Sequence, residues 1–264
     1  MRKLAIAILS VMLVIALSGC GQSSSNGSKK DLFDQIKSKG TMVVATEGTY
    51  APYSYHDPKT NKLIGYDVDV TRAVAKKLGV KVQFKETAWD SQFAGLNSKR
   101  FDTMANEVGI NPDREKKYDF STPYGASKSV IVTRTNNTKI KSLDDLKGVK
   151  VAQGLTSNYG EMTRKAGAQI VGQDDFSKAM KLVQQKRVDA TVNDQGAVLD
   201  YLKTTKSKDL KVAAVINSNA AKIAYPVRKG SGLDNHLSQA LKELKEDGTL
   251  AKISKKYFNK DISE

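Results

Sequence analysis

Cysteine is almost missing from this chain of 264 residues: Cys20 is the only one. No internal disulfide can form, so whatever folds must be held by its own apolar core. Tryptophan is equally scarce, with Trp89 alone, and the two histidines, His56 and His236, lie far apart in sequence. Neither has a cysteine partner or metal-ligand spacing, so both read as solvated and no metal or other cofactor is expected. A Gly-x-Ser-x-Gly elbow, a phosphate loop and a zinc signature are all absent. The longest apolar run, Leu4 to Leu17 broken by Ser10, falls short of the about 20 residues that a membrane span needs. Acidic residues are outnumbered, 28 against 43 basic, for a net charge of +15. That surplus favours polyanions, but the lysines are spread along the whole chain with no arginine–aromatic cluster. It reads as a solvated surface facing anionic lipid or cell wall, and nucleic acid is not an expected partner.

What is present begins with Met1-Arg2-Lys3, the short apolar run and small residues at Ser18-Gly19, the layout of a secretory signal peptide over residues 1–19. Leu17-Ser18-Gly19-Cys20 resembles the lipobox of bacterial lipoproteins. The resemblance implies an acylated Cys20 at the new N-terminus, and so a lipid anchor on the extracytoplasmic face of the cell membrane. A plain signal peptide with a chance cysteine is the alternative. Gln22 to Lys30 has no apolar residue and cannot collapse, so residues 20–35 read as a lipidated cysteine and tether.

The body alternates strand-like and helix-like segments, which predicts an α/β fold. Thr41 to Ala45 and Lys81 to Phe84 read as strands. Between them, Val70, Val74 and Leu78 share one face of a helix from Tyr66 to Leu78 that stops at Gly79. Asp90 is placed to cap a helix carrying Phe93 and Leu96, and Ser142 with Asp145 matches a capping box for another. Near the end, Leu237, Leu241 and Leu244 form a helical stripe, with a second helix over Ile253 to Phe258. One internal echo stands out: Lys99-Arg100-Phe101-Asp102 leading to Asn106-Glu107 resembles Lys186-Arg187-Val188-Asp189 leading to Asn193-Asp194. Two lobes of similar build explain it, with the paired strand ends facing each other across a cleft.

Several residues near those strand ends carry chemistry. Arg114 follows the first echo strand and can grip a carboxylate through two parallel hydrogen bonds; a surface ion pair with Asp113 or Glu115 is the bland alternative. Thr156 precedes a helix start whose free N–H groups suit an anion, although Ser157 or Asn158 can also be simple caps there. Asp194 suits an ammonium group, or caps the helix that follows it. Tyr50, Tyr53 and Trp89 are core lids or pocket walls.

At this point the chain resembles a known family. Thr46-Glu47-Gly48-Thr49-Tyr50-Ala51-Pro52-Tyr53, Gly65-Tyr66-Asp67-Val68-Asp69, Trp89-Asp90, Arg114 to Thr122, Lys147 to Val151 and Asp247-Gly248-Thr249-Leu250 are similar to the polar amino acid solute-binding proteins of ABC importers, solute-binding family 3. The first and third of these motifs are most similar to the cystine-binding branch. The resemblance implies a two-lobed periplasmic-binding-protein-like fold of type II, its lobes joined by two hinge strands near Ser129 to Arg134 and Lys222 to Val227. Lobe 1 would comprise residues 36–132 and 225–264, and lobe 2 residues 133–224. It implies a monomer that binds an amino acid, with cystine favoured over Gln, His or Arg, and that hands it to a permease and an ATPase. Arg114 and Thr156 would hold the α-carboxylate, Asp194 the α-ammonium, Gly109 a backbone contact, and Tyr50 and Trp89 the walls. Glu47, Asn106 and Glu107 would leave polar room for the far end of cystine. Glu107 and Gly109 stand where many relatives carry Ser or Thr. No catalytic residue is expected; a dehydratase-like enzyme would need a poised acid or base, for which Glu47 and Glu107 are the extra candidates.

Overall fold

The computed structural model describes residues 31–216 and 220–263, so Cys20, the signal segment and most of the tether lie outside the described residues. The strand Thr41–Thr46 is central in a three-stranded sheet, parallel to Lys81–Glu86 and to Thr103–Met104. Its crossover helix is Tyr66–Leu78, as the apolar spacing predicts, with Val70 and Val74 fully buried. Gly79 ends it in the left-handed region at φ 66°, where its N–H reaches Ala75 and Lys76 carbonyls. A second, five-stranded sheet runs in the order Gln169–Gly172, Lys150–Gln153, Ala190–Asp194, Ser129–Arg134, Leu210–Val215. Its first three strands are parallel, and Ser129–Arg134 runs against both its neighbours.

Two short antiparallel pairings connect these halves. Tyr118–Phe120 pairs with Pro226–Arg228, and Gly125–Ser127 pairs with Ala221–Ile223. The run Ser129–Arg134, expected as a crossover, already lies inside the second sheet, while Lys222 to Val227 belongs to the returning chain. Tyr66, Tyr124, Tyr225 and the Leu237, Leu241, Leu244 stripe are buried around this junction. Each such leucine contributes about 1.5–3 kcal/mol by leaving water.

The sequence echo is a structural repeat. Lys99 and Lys186 both turn left-handed, at φ 62° and 63°, as their preceding helices end. Arg228 then donates to the carbonyls of Leu96 and Phe101 and lies by Asp102. Arg134 donates to Val183 and Val188 carbonyls and to Asp189. In each half an arginine from the end of a strand ties the last helical turn to the Lys-Arg-x-Asp loop, satisfying carbonyls that a helix end leaves free.

Two local expectations change. The helix Trp89–Asn97 starts one residue before Asp90, which puts Ala88 at the cap position with no side-chain cap and leaves the Asp90 carboxylate to accept from Thr156. The helix expected after Ser142 is a single 3-10 turn, Asp144–Leu146. There the Asp145 carboxylate accepts from the Lys141 N–H and the Ser142 hydroxyl, which pins the chain before the turn rather than extending a helix.

Candidate functional site

A cavity of about 50 Å³ lies where the carboxyl ends of the two sheets meet. Glu47, Tyr50 and Trp89 line it from the first half, and Tyr159, Phe176 and Asn193 from the second. That is room for one or two water molecules, against about 300–1,000 Å³ for an ordinary ligand pocket. The halves are drawn together by hydrogen bonds that cross between them. The Tyr50 hydroxyl contacts Glu107 Oε2 at 3.1 Å and donates to Asn193 Oδ1 at 2.6 Å. Tyr159 donates to both Glu107 oxygens at 3.2 Å. Tyr53 donates to Asp194 Oδ1 at 2.9 Å, and Thr156 donates from its N–H and hydroxyl to Asp90.

Arg114 is not a surface cation. It is 8% exposed, and its guanidinium lies 5.3 Å from the Trp89 ring and 5.1 Å from that of Phe93. Nη1 donates to the Gly109 carbonyl at 2.8 Å, while Nη2 is buried without a hydrogen-bond partner among the described residues. A buried donor left unpaired costs about 1–3 kcal/mol, so Nη2 is a ready partner for an anion. Burial pulls the Arg114 pKa down to about 10, with nearby Glu107 opposing the fall, so it stays cationic at neutral pH. A methyl group built on Gly109 would stand 3.8 Å from Asn158 Nδ2 and 4.0 Å from Arg114 Nη1. Gly109, Arg114 and Asn158 therefore converge from both halves.

The opposite charge is abundant. Asp194 is 1% exposed; it caps the helix Gln195–Thr205 through the Ala197 N–H and also accepts from the Tyr53 and Ser127 hydroxyls. Burial raises its pKa to about 6. Glu47, receiving Asn106 Nδ2 at 2.6 Å, is raised to about 7 by burial, with Asp174 and Asp175 adding repulsion. Glu107 is pushed well above the carboxylate range by burial and by Asp194 and Asp67.

Of the residues singled out from sequence, Tyr50 and Trp89 wall the cavity, and Gly109 and Arg114 pack together beside it. Thr156 is exposed at the rim and engaged with Asp90. Asp194 lies behind Tyr53 and borders a separate cavity of about 480 Å³. Arg114 and Asp194 share no hydrogen bond; Glu107 is the group whose charge both feel. Sequence reasoning missed Tyr159 and Phe176. Tyr159 sits one residue beyond Asn158 in the first helical turn, a position that signals helix but not direction. Phe176 opens the helix Phe176–Gln184, where an aromatic reads as ordinary core.

Residues 42–260 match the family of bacterial extracellular solute-binding proteins, family 3. The chain belongs to that family. It is 50% identical to the L-cystine-binding protein TcyA of Bacillus subtilis (strain 168), with 100% of both chains covered. Its fold matches the L-cystine solute receptor of Neisseria gonorrhoeae in the unliganded open conformation, at 50% identity, 88% and 98% coverage and TM-score 0.57. It matches an ancestral arginine-binding protein bound to arginine better, with TM-score 0.78 at 38% identity and 83% and 98% coverage. The more identical chain fits less well because it is open; the crossing hydrogen bonds place this solute-binding protein in the closed arrangement. The two-lobed fold expected from the resemblance is thereby shown, and its curated relatives are binding proteins rather than enzymes. Among the described residues no helix is long and apolar enough to cross a membrane.

Proposed function

We propose that this solute-binding protein captures L-cystine outside the cytoplasm and delivers it, as a monomer, to an ABC permease and its ATPase. The observation that carries the reading is identity of 50% along the whole length of a protein that binds L-cystine. The site is compatible in chemistry. Arg114 Nη2 offers a donor for one carboxylate, and Glu107, which lines the cavity, offers charge for the neighbouring ammonium, with Asp194 reached only when Tyr53 yields. Glu47 and Asn106 also line the cavity and would receive the polar far end, and Trp89 and Tyr50 give aromatic surface, which sulfur favours. The closed cavity is too small for cystine, so binding requires the lobes to part and the tyrosine bonds of Glu107 to yield. The lobes proposed from the resemblance are residues 36–132 with 225–264, and 133–224; because the strand Ser129–Arg134 pairs only with strands of the second, we propose that it belongs wholly to that lobe.

Arginine is the second reading, favoured by the fit to the arginine-bound ancestral protein and by the acidic cleft. Calorimetry and thermal shift separate the two. Cystine at 100 times its dissociation constant stabilises the fold by about 2.7 kcal/mol, with a change in emission from Trp89, the sole tryptophan. Micromolar or tighter cystine binding is expected; tight binding of arginine or glutamine with none of cystine would leave only the family assignment.

The anchor is part of the same proposal. Cys20, in its lipobox-like setting, carries the lipid that holds the protein at the outer face of the membrane. Cys20→Ala is expected to release it into the soluble fraction, and a mutant that still sediments wholly with membranes removes Cys20 from that role.

A further inference from the structure

We propose that Glu107 makes closure of the cleft conditional on a ligand cation, and is thereby a residue that determines specificity. The proposal takes the ligand class, an amino acid with a free ammonium group, from the function proposed above. Its physical basis is the surroundings of one carboxyl group.

Glu107 sits in the left-handed region at φ 51°, uncommon for a residue with a side chain. The conformation is fixed because its backbone N–H donates to Asp67 Oδ2, a side chain fully buried in the first turn of the helix Tyr66–Leu78. This turns the Glu107 carboxyl toward the junction of the lobes, where Tyr50 meets it from its own half and Tyr159 from the other. Tyr50 stacks on Tyr53 with ring centroids 5.5 Å apart, and Tyr53 donates to Asp194. Three carboxyl groups, from Asp67, Glu107 and Asp194, are thus connected through one packed set of tyrosines. Facing Glu107 are Tyr50 and Tyr53 from the segment after the first strand, Asp67 from its helix, Tyr159 and Asp194 from the second half, and Arg114 as the nearby cation. Arg114 is one charge against three.

The cavity beside Glu107 has a second unfilled demand. Trp89 lines it, is 7% exposed, and its Nε1 is buried with no hydrogen-bond partner among the described residues. A zwitterionic ligand supplies an acceptor for unpaired N–H groups and a cation for the carboxylates.

When the lobes part, Glu107 loses its Tyr159 partner and meets water, so its pKa falls back toward that of an ordinary glutamate. On closure, burial and then the nearby Asp194 and Asp67 carboxylates push it well above the ordinary carboxylate range. The closed form binds more protons than the open form, so closure without ligand is favoured below the raised value and lost as pH rises through it. At neutral pH an empty cleft closes only by taking up protons. A ligand ammonium replaces them, whereas a ligand lacking that charge leaves the repulsion in place.

The test uses the full chain carrying Cys20→Ala, without ligand, in small-angle scattering between pH 8 and 5.5. The expected result is an extended particle at pH 8 that becomes compact at 5.5, and a Glu107→Gln variant that is compact at both. Glu107→Gln is also expected to lower the preference for L-cystine over its N,N′-diacetyl derivative by tenfold or more in calorimetry. A ligand-free protein whose dimensions do not change with pH, beside a variant as extended as the parent at pH 8, overturns the proposal. The scattering arm needs no ligand, so it stands if cystine proves to be the wrong amino acid. If Glu107→Gln fails to fold by circular dichroism, the pH series on the parent decides alone: compaction supports the proposal and its absence overturns it.

Discussion

Replacing Arg114 with alanine is expected to weaken amino acid binding by about 2–5 kcal/mol, a rise of roughly 30- to 4,000-fold in Kd. Two costs add. The ligand carboxylate loses a donor whose partner position is open, since Nη2 is otherwise buried and unpaired. The ligand is also left with a buried, unmatched negative charge beside Glu107. Arg114→Lys separates charge from shape. Lysine keeps the cation but not the flat, forked group that reaches the Trp89 and Phe93 rings, donates to Gly109 through one nitrogen and leaves the other for the ligand. Its affinity should fall between parent and alanine. Calorimetry checks both variants, with far-ultraviolet circular dichroism to confirm folding. Near-parent affinity for the alanine variant removes Arg114 from the site.

Gly65→Ala is expected to cost about 2–4 kcal/mol of stability, lowering the thermal midpoint by roughly 5–15 °C. Gly65 has φ 132°, a backbone region that side chains rarely enter. A Cβ there would stand 2.2 Å from the Tyr53 carbonyl oxygen and 2.8 Å from the Ser54 nitrogen. Both atoms are backbone, so the whole Tyr53–Ser54 segment must shift. That segment matters twice. The Tyr53 carbonyl accepts the Asp67 N–H at the start of the helix Tyr66–Leu78, and its hydroxyl reaches Asp194 across the cleft. Ligand affinity should therefore fall together with stability. Gly148→Ala is the control: its φ is 72°, but nothing lies within 4 Å of an added Cβ, so only the backbone strain of about 1 kcal/mol remains. Urea unfolding of the two variants measures the difference, and equal midpoints would mean that the close approach at Gly65 carries no cost.

The candidate site was only partly legible beforehand. The strand-end echo located the cleft, and Tyr50 and Trp89 were placed on its wall by motif similarity. Glu107 stood out only as a departure from relatives, because nothing local says that a glutamate will be buried. Its environment depends on Tyr159, 52 residues later, and Asp194, 87 residues later. Thr156 read as an anion contact because it precedes a helix start. In the closed arrangement its donors go to Asp90, 66 residues earlier, an interaction between lobes that no local pattern encodes.

By itself the sequence determined the local alphabet: which segments are helix or strand, the repeated Lys-Arg-x-Asp turn, and the motifs that mark the family. Those features depend on neighbours within a few residues, where backbone sterics, capping and apolar periodicity act. Only the tertiary structure decided that Arg114 packs beside the perpendicular Trp89 and Phe93 rings, that Asp194 stands behind Tyr53, and that Glu107 shares its surroundings with two more carboxyl groups. Desolvation and the repulsion of like charges arise when segments far apart in the chain exclude water from the same space: packing within the first half brings Arg114 to Trp89 and Phe93 and Glu107 to Asp67, and the approach of the second half adds Tyr159 and Asp194.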